Sequence, residues 1–287
     1  MQDSSHPTFA GLLRSAVEEP GTLSSAYHAF HAYSLGNQLL AMFQCHERGL
    51  KPGPMATFPR WKELGRHVQR GQKALTLCMP ITLKRRQPEA DADAADSADD
   101  ESAIFVRFVY RSRWFVLAQT DGADLPEPSI PSWNAERALA ALDINEVAFD
   151  AVDGNTMGYA RERSIAINPL NPLPHKTRFH ELAHVLLGHT AEGTQADSEV
   201  TPRNLRECEA ESVALLCCAA LELPGQDECR GYIQSWWGQG NAIPEKSAHA
   251  VLRVADRILK AGATALPIED DQPSVSTVST VSAGGAS

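Results

Sequence analysis

The sequence predicts an α+β protein in two parts: N-terminal helices packed on a small antiparallel sheet, then a second unit with a small sheet and a helix carrying the string HELAH. Three observations predict this class. Apolar residues recur at helical spacing early in the chain, then give way to three β-rich runs. Pro126, Pro128 and Pro131 interrupt both patterns, and the charge balance changes sign across them. Beyond them the chain is mostly helical in period, with two short strands ahead of HELAH. At 287 residues, two modest domains are expected, 1–125 and 126–263, with a disordered tail at 264–287.

Tyr27, Phe30, Tyr33, Leu35, Leu39, Met42 and Phe43 place one helix over 23–48, started by Ser24 or Ser25 and ended by Gly49. A PGP break at 52–54 precedes a short amphipathic turn around Phe58, Trp61 and Leu64. The run ALTLCMPITL predicts a strand over 74–83, bulged or interrupted at Pro80. Two more strands follow at 104–110 and 114–119, joined by Arg111, Ser112 and Arg113. The segment QPEADADAADSADDE at 87–101 cannot bury a core and is expected as an exposed acidic loop inserted in the sheet. In the second unit a helix is expected at 132–142, strands at 147–152 and 164–168 around an Asp153–Gly154 turn, and helices at 174–189, 203–221, 227–237 and 244–261.

No stretch approaches the roughly 20 apolar residues that span a bilayer, and the first thirty residues show no secretory pattern. A cytoplasmic protein without a membrane partner is therefore expected. Six cysteines without a CxxC pair are expected as buried reduced thiols. The net charge of −10 conceals an asymmetry. Over 1–86 and 102–120 there are fourteen Lys/Arg against five Asp/Glu, whereas 121–287 holds twelve against twenty-four. The front half can therefore face a polyanion although the whole chain is acidic.

His180 and His184 stand at i and i+4, so on a helix both imidazoles reach one ion, and Glu181 projects beside it as general base. Zinc lowers the pKa of a water it holds to about 7, and the resulting hydroxide can attack a polarised peptide carbonyl, so the pattern points to a peptidase. Zinc is the expected ion, and Mn2+ or Co2+ also suit two histidines and a carboxylate. A third ligand is needed. His189 and His175 each lie five residues from the pair and are expected to point away, and Leu187 and Thr190 break the metzincin pattern. The next helix, RECEAESVALLCCAALEL, is the better source. Glu207 and Glu211 share a face there; Glu207 is assigned to the metal and Glu211 to the free ring nitrogen of a ligand histidine, with the reverse assignment open. Glu209, turned about 200° from Glu207, is expected as a solvated surface acid. An edge strand beside the active helix, at 164–168 or 157–160, would pair with an extended substrate, and Tyr159 is a weaker candidate for oxyanion stabilisation.

With these residues in hand, the chain resembles the ArdC-type antirestriction family over nearly its whole length. The resemblance rests on SLGNQLL (34–40), TFPRWKELGRHVQRGQKALTLCMPI (57–81) and WFVLAQT (114–120) in front. Behind, it rests on FHELAHVLLGH, RECEAESVALL (206–216) and GYIQSWW (231–237). It implies an N-terminal single-stranded-DNA-binding domain joined to a C-terminal zincin-like metallopeptidase domain. It also implies that the first glutamate of the string ECEAE, Glu207, is the third ligand. Residues suited to phosphates and stacked bases are Arg60, Trp61, Lys62, Arg66, Arg70, Lys73, Arg107, Arg111, Arg113 and Trp114. Three functions follow as expectations. One is an antirestriction protein combining strand binding with zinc-dependent hydrolysis of an unknown protein substrate. Another is a strand-protecting protein whose zincin domain is structural. The last is a regulatory peptidase, similar to the ImmA/IrrE group, that cleaves a repressor.

Overall fold

A computed structural model describes residues 7–84, 104–125, 131–151, 155–190 and 202–263. The chain opens with helices α1 (Phe9–Glu18), α2 (Thr22–Phe30) and α3 (Leu35–Glu47). The single helix expected over 23–48 is thus broken at 31–34. The cause lies far away in sequence: Asp256 accepts the Leu35 N–H at 3.1 Å and gives α3 a new N-terminus. Gln38 then reaches back to the Tyr33 carbonyl at 2.8 Å. Neither Ser24 nor Ser25 starts α2; Gly21, at φ +86°, occupies that N-cap.

Next come β1 (Met55–Thr57), α4 (Phe58–Glu63), β2 (Arg66–Val68), β3 (Leu75–Lys84), β4 (Ile104–Val116) and β5 (Thr120–Gly122). The antiparallel sheet runs β1-β4-β3, and β2 pairs separately with β5. Three strand expectations need correction. Arg111, Ser112 and Arg113 do not turn the chain; β4 runs straight through them, with Leu77 opposite Arg111 and Thr76 opposite Ser112. Residues 117–119, expected as strand, form a 3-10 turn. Nor does Pro80 interrupt β3: it pairs with Phe108 in unbroken register, and the irregularity falls between Leu75 and Thr76.

The reason Pro80 is tolerated is visible at the neighbouring positions. Thr76 and Cys78 turn their backbone groups away from β4, toward α3. The Gln44 amide accepts from Thr76 N at 2.9 Å and donates to Thr76 O at 2.8 Å. Asn37 does the same for Cys78, at 2.8 and 3.0 Å. Two side-chain amides thus stand in for a missing strand along the edge of β3. Pro80 continues that outward row, where a residue without an N–H leaves nothing unpaired.

The second unit contains α5 (Ala135–Leu142), β6 (Asn145–Glu146), β7 (Gly158–Arg161), β8 (Ser164–Ile167), α6 (Pro174–Leu186), α7 (Arg203–Ala220), α8 (Gln226–Gly238) and α9 (Glu245–Gly262). Its sheet runs β6-β8-β7, with β6 parallel and β7 antiparallel to β8. The strand expected at 147–152 is found at Asn145–Glu146, with one further ladder bond from Val147 N to Ile165 O at 2.9 Å. The acidic segment 87–101, the Asp153–Gly154 turn and the tail 264–287 lie outside the described residues.

Helix α7 is the axle of the molecule, buried at every position from Cys208 to Ala220. One apolar core surrounds it and takes in Leu12, Leu13, Val17, Leu35, Leu39 and Leu40 from the first three helices. A smaller core seats Phe30, Ala41 and Cys45 on Leu75, Leu77, Trp114 and Val116 of the sheet. Polar contacts bind the two ends of the chain as well. Glu245 of α9 accepts from Phe9 N at 2.7 Å and Ala10 N at 2.9 Å, capping α1. Arg230 of α8 donates to the Val17 carbonyl at 2.8 Å at the other end of that helix. All six cysteines are free thiols, and no described helix is long and apolar enough to cross a membrane.

Candidate metal centre

Pro174 starts α6 at a position where its missing N–H costs nothing. Phe179, Leu182 and Ala183 are fully buried along one side of the helix, which fixes its rotation and turns His180, Glu181 and His184 to the cleft. The two imidazole Nε2 atoms lie 3.0 Å apart. Glu207 Oε2 from α7 approaches them at 3.4 and 3.6 Å. A tetrahedral centre with bonds of about 2.0–2.2 Å separates its ligand atoms by about 3.3–3.6 Å, so two imidazoles and this carboxylate fit a divalent cation. Glu211 lies on the other side of the same ring: its Oε1 comes within 3.2 Å of His180 Nδ1 and accepts from Lys176 Nζ at 2.7 Å. Glu207 thus lies on the side of the two Nε2 atoms and Glu211 behind the His180 ring.

Two sequence expectations fail here. His189 does not point away, because α6 stops at Leu186 and Gly188 takes φ +78°. That left-handed residue swings the chain back, so that His189 Nδ1 sits 3.0 Å from His184 Nδ1. Glu209 is not a surface acid. It is buried, 6% exposed, and its Oε2 lies 3.0 Å from His189 Nε2. All three glutamates of ECEAE therefore contact histidines of this cluster. His175 does lie apart from it, edge-on to Trp133.

The cleft holds about 520 Å³ and is bounded by Gly158, Tyr159 and Ala160 of β7 on one side and by Arg203, Arg206 and Glu207 of α7 on another. Of the two expected edge strands, it is therefore 157–160 that faces the site, whereas β8 is central. Gly158 permits this approach. A Cβ there would stand 2.6 Å from Thr177 Cγ2 and 3.0 Å from the Ala166 carbonyl. Gly158→Ala is expected to push β7 off α6 and cost about 1–3 kcal/mol, measured by denaturant unfolding. Tyr159 is a poor oxyanion donor, since its hydroxyl donates to Asp150 and Arg161 packs over its ring.

Burial pushes the Glu181 carboxyl above its ordinary value, against the opposing pull of His180 and His184. Burial would lower His180, but the Glu207 and Glu211 carboxylates outweigh it and hold the ring up to about 9. Burial likewise opposes ionisation of Glu211, and His180 with Lys176 brings it down to about 2. The hydrogen bonds from both histidines hold Glu207 well below the carboxylate range. In metal-free protein the stability from raised His180 is complete below 6.5 and lost as pH rises through about 9. That from depressed Glu211 is present above 4.5 and lost as pH falls toward about 2. A cation taking His180 displaces a proton at neutral pH. Affinity for Mn(II) is thus expected to climb until about pH 9, which calorimetric titrations at stepped pH will check.

The front-half candidates divide. Lys62, Arg70, Lys73, Arg107, Arg111 and Arg113 are exposed. Arg60 is half-buried and paired with Glu63 at 3.1 Å. Trp61, Trp114 and Arg66 leave the surface altogether. Trp61 is 1% exposed with its indole donating to Phe115 O at 2.8 Å, and Trp114 lies in the sheet core. Arg66 is spent on Thr120, through its hydroxyl at 2.9 Å and carbonyl at 3.0 Å. Phe58 and Phe108, which the sequence did not single out for stacking, are exposed instead.

A family model described as the N-terminal domain of anti-restriction factor ArdC matches residues 15–115. Two crystal structures of the antirestriction ArdC protein from R388 plasmid, one metal-free and one Mn(II)-bound, share the fold, each with a TM-score of 0.50 and 18% identity. Each alignment covers 88% of this chain, and 94% of the metal-free and 95% of the Mn(II)-bound relative. A comparison with curated proteins finds no match.

Proposed function

We propose that the chain is an ArdC-like antirestriction protein, on the match of residues 15–115 to the ArdC N-terminal domain and on the shared fold, and that it joins single-stranded-DNA binding in the front half to metal-dependent peptide hydrolysis in the cleft. The observation that carries the hydrolase reading is the convergence of His180, His184 and Glu207 on one point, at 3.0, 3.4 and 3.6 Å. These three would hold the cation. Their donor set suits zinc, and the Mn(II)-bound relative supports manganese as well; cobalt fits the same ligands. Such an ion, when bound, supplies a Lewis acid for a peptide carbonyl and acidifies a water.

The chain's own residues supply the rest. Glu181 is buried beside the histidines and takes the proton from the attacking water, then returns it to the leaving amine. β7 lies at the edge of its sheet and offers backbone groups to an extended substrate. Glu211 holds His180 from behind. The test is incubation of the full chain, loaded with zinc or manganese, with a peptide library of mixed sequence, reading products by mass spectrometry. Cleavage that a chelator abolishes is expected. Its absence in metal-saturated protein would leave strand binding with a structural cation.

For strand binding, the supporting observations are the exposed cationic set Lys62, Arg70, Lys73, Arg107, Arg111 and Arg113 and the exposed rings of Phe58 and Phe108. Affinity for an oligodeoxythymidylate is expected to fall steeply with salt. Replacing Arg107, Arg111 and Arg113 by alanine together should flatten the log–log slope by about 2, since each phosphate neutralised on a single strand contributes about 0.7. An unchanged slope in fluorescence titrations would remove the β4 face from the binding surface.

A further inference from the structure

We propose that His189 and Glu209 are positioning residues that fix His184 in the ring tautomer whose Nε2 lone pair faces the cleft. The inference rests on the metal reading of the cleft and extends it one layer outward, to two residues absent from the ligand set.

The donor and acceptor roles along the line Glu209–His189–His184 follow from elementary chemistry. An ionised carboxylate only accepts, so the 3.0 Å contact between Glu209 Oε2 and His189 Nε2 requires the proton on Nε2. A neutral His189 then has a lone pair on Nδ1. The next contact, 3.0 Å to His184 Nδ1, therefore requires the proton on His184 Nδ1. His184 Nε2 is left unprotonated, toward His180 Nε2 and Glu207. Two carboxylates of one helix thus back the two histidines, Glu211 directly and Glu209 through an interposed ring.

The setting is built for this. Side chains of His189 and Glu209 are each only 7% exposed. Gly188 at φ +78° brings His189 back onto the helix it has just left. A solvated acid and a helix-terminal histidine would need none of these constraints.

Glu209→Leu is the informative variant. It removes the acceptor that keeps the His189 proton on Nε2, so the tautomers of His189 and His184 are no longer fixed. Mn(II) affinity of the full chain, measured by calorimetry, is expected to fall about 10- to 100-fold in Glu209→Leu and His189→Leu. His189→Gln, whose amide can both accept from His184 and donate to Glu209, should stay within a few-fold of the parent. Equal loss in His189→Gln and His189→Leu, or no loss in any variant, would overturn the proposal. A readout without substitution guards against misfolding. Long-range 1H–15N correlation spectra of metal-free protein should show His184 protonated on Nδ1 and bare on Nε2, and the opposite tautomer would sink the inference. If the parent binds no Mn(II), the metal reading fails on its own, while the spectra still decide the tautomer.

Discussion

Glu181→Gln is expected to reduce metal-dependent peptide cleavage by about 10²–10⁴-fold while leaving Mn(II) affinity and the melting temperature close to the parent. The side chain is buried at 7% exposure, lines the cleft and is not one of the three converging ligand atoms. Glutamine keeps its size and loses only the ability to take a proton. Burial has already raised the Glu181 carboxyl, which brings it nearer the value a base needs at neutral pH. Parallel assays of cleavage, calorimetric Mn(II) titration and thermal melting separate the outcomes. Cleavage undiminished in this variant would remove Glu181 from the chemistry. Loss of Mn(II) binding alongside would mean it acts on the cation rather than on the water.

The second large effect concerns stability. Gln44 bonds both backbone groups of Thr76 and also donates to Leu40 O at 3.0 Å, from a site 4% exposed. Gln44→Leu fills the same space and strands the Thr76 N–H and carbonyl inside the protein. An unpaired buried group costs about 1–3 kcal/mol, so a loss of about 2–4 kcal/mol is expected. In a chain of this size that lowers the melting temperature by about 5–15 °C. Asn37→Leu should act in the same way on Cys78, and the double variant should be near additive because the two amides sit two helical turns apart, about 10 Å. A loss below about 1 kcal/mol for Gln44→Leu would show that water replaces the amide at that edge.

How much of this is legible in sequence depends on how far away the deciding contact lies. Helices α6 to α9 and the HELAH face follow from local period, and they appear within a few residues of the expected bounds. The split between α2 and α3 cannot be found locally, because its cause is a carboxylate 221 positions on. Pro80 misleads for a related reason: whether a proline harms a strand depends on which way its nitrogen faces, and α3 decides that here. His189 fails differently. A helical wheel turns it away only if the helix continues to 189, yet the glycine at 188 is a stop signal already present in the string. Glu209 looks solvated when weighed against its own helix alone, and its partner belongs to another segment. Trp61 and Trp114 carry the ambiguity of any tryptophan in a half-buried strand or turn, since ring size suits a core and a base platform equally.

The caps that α9 places on α1 and α3 set an order of events during synthesis. Glu245 and Asp256 leave the ribosome more than two hundred residues after the backbone amides they receive. Until then α1 and α3 lack these N-terminal hydrogen bonds, and the first three helices lack the apolar face of α9 that Leu12, Leu13 and Leu39 share. The earliest-made part of the molecule is thereby the last to be secured, so long-range closure rather than local helix formation should govern its folding rate. A nascent or truncated chain ending before α9 would expose that apolar surface and depend on chaperones for its solubility.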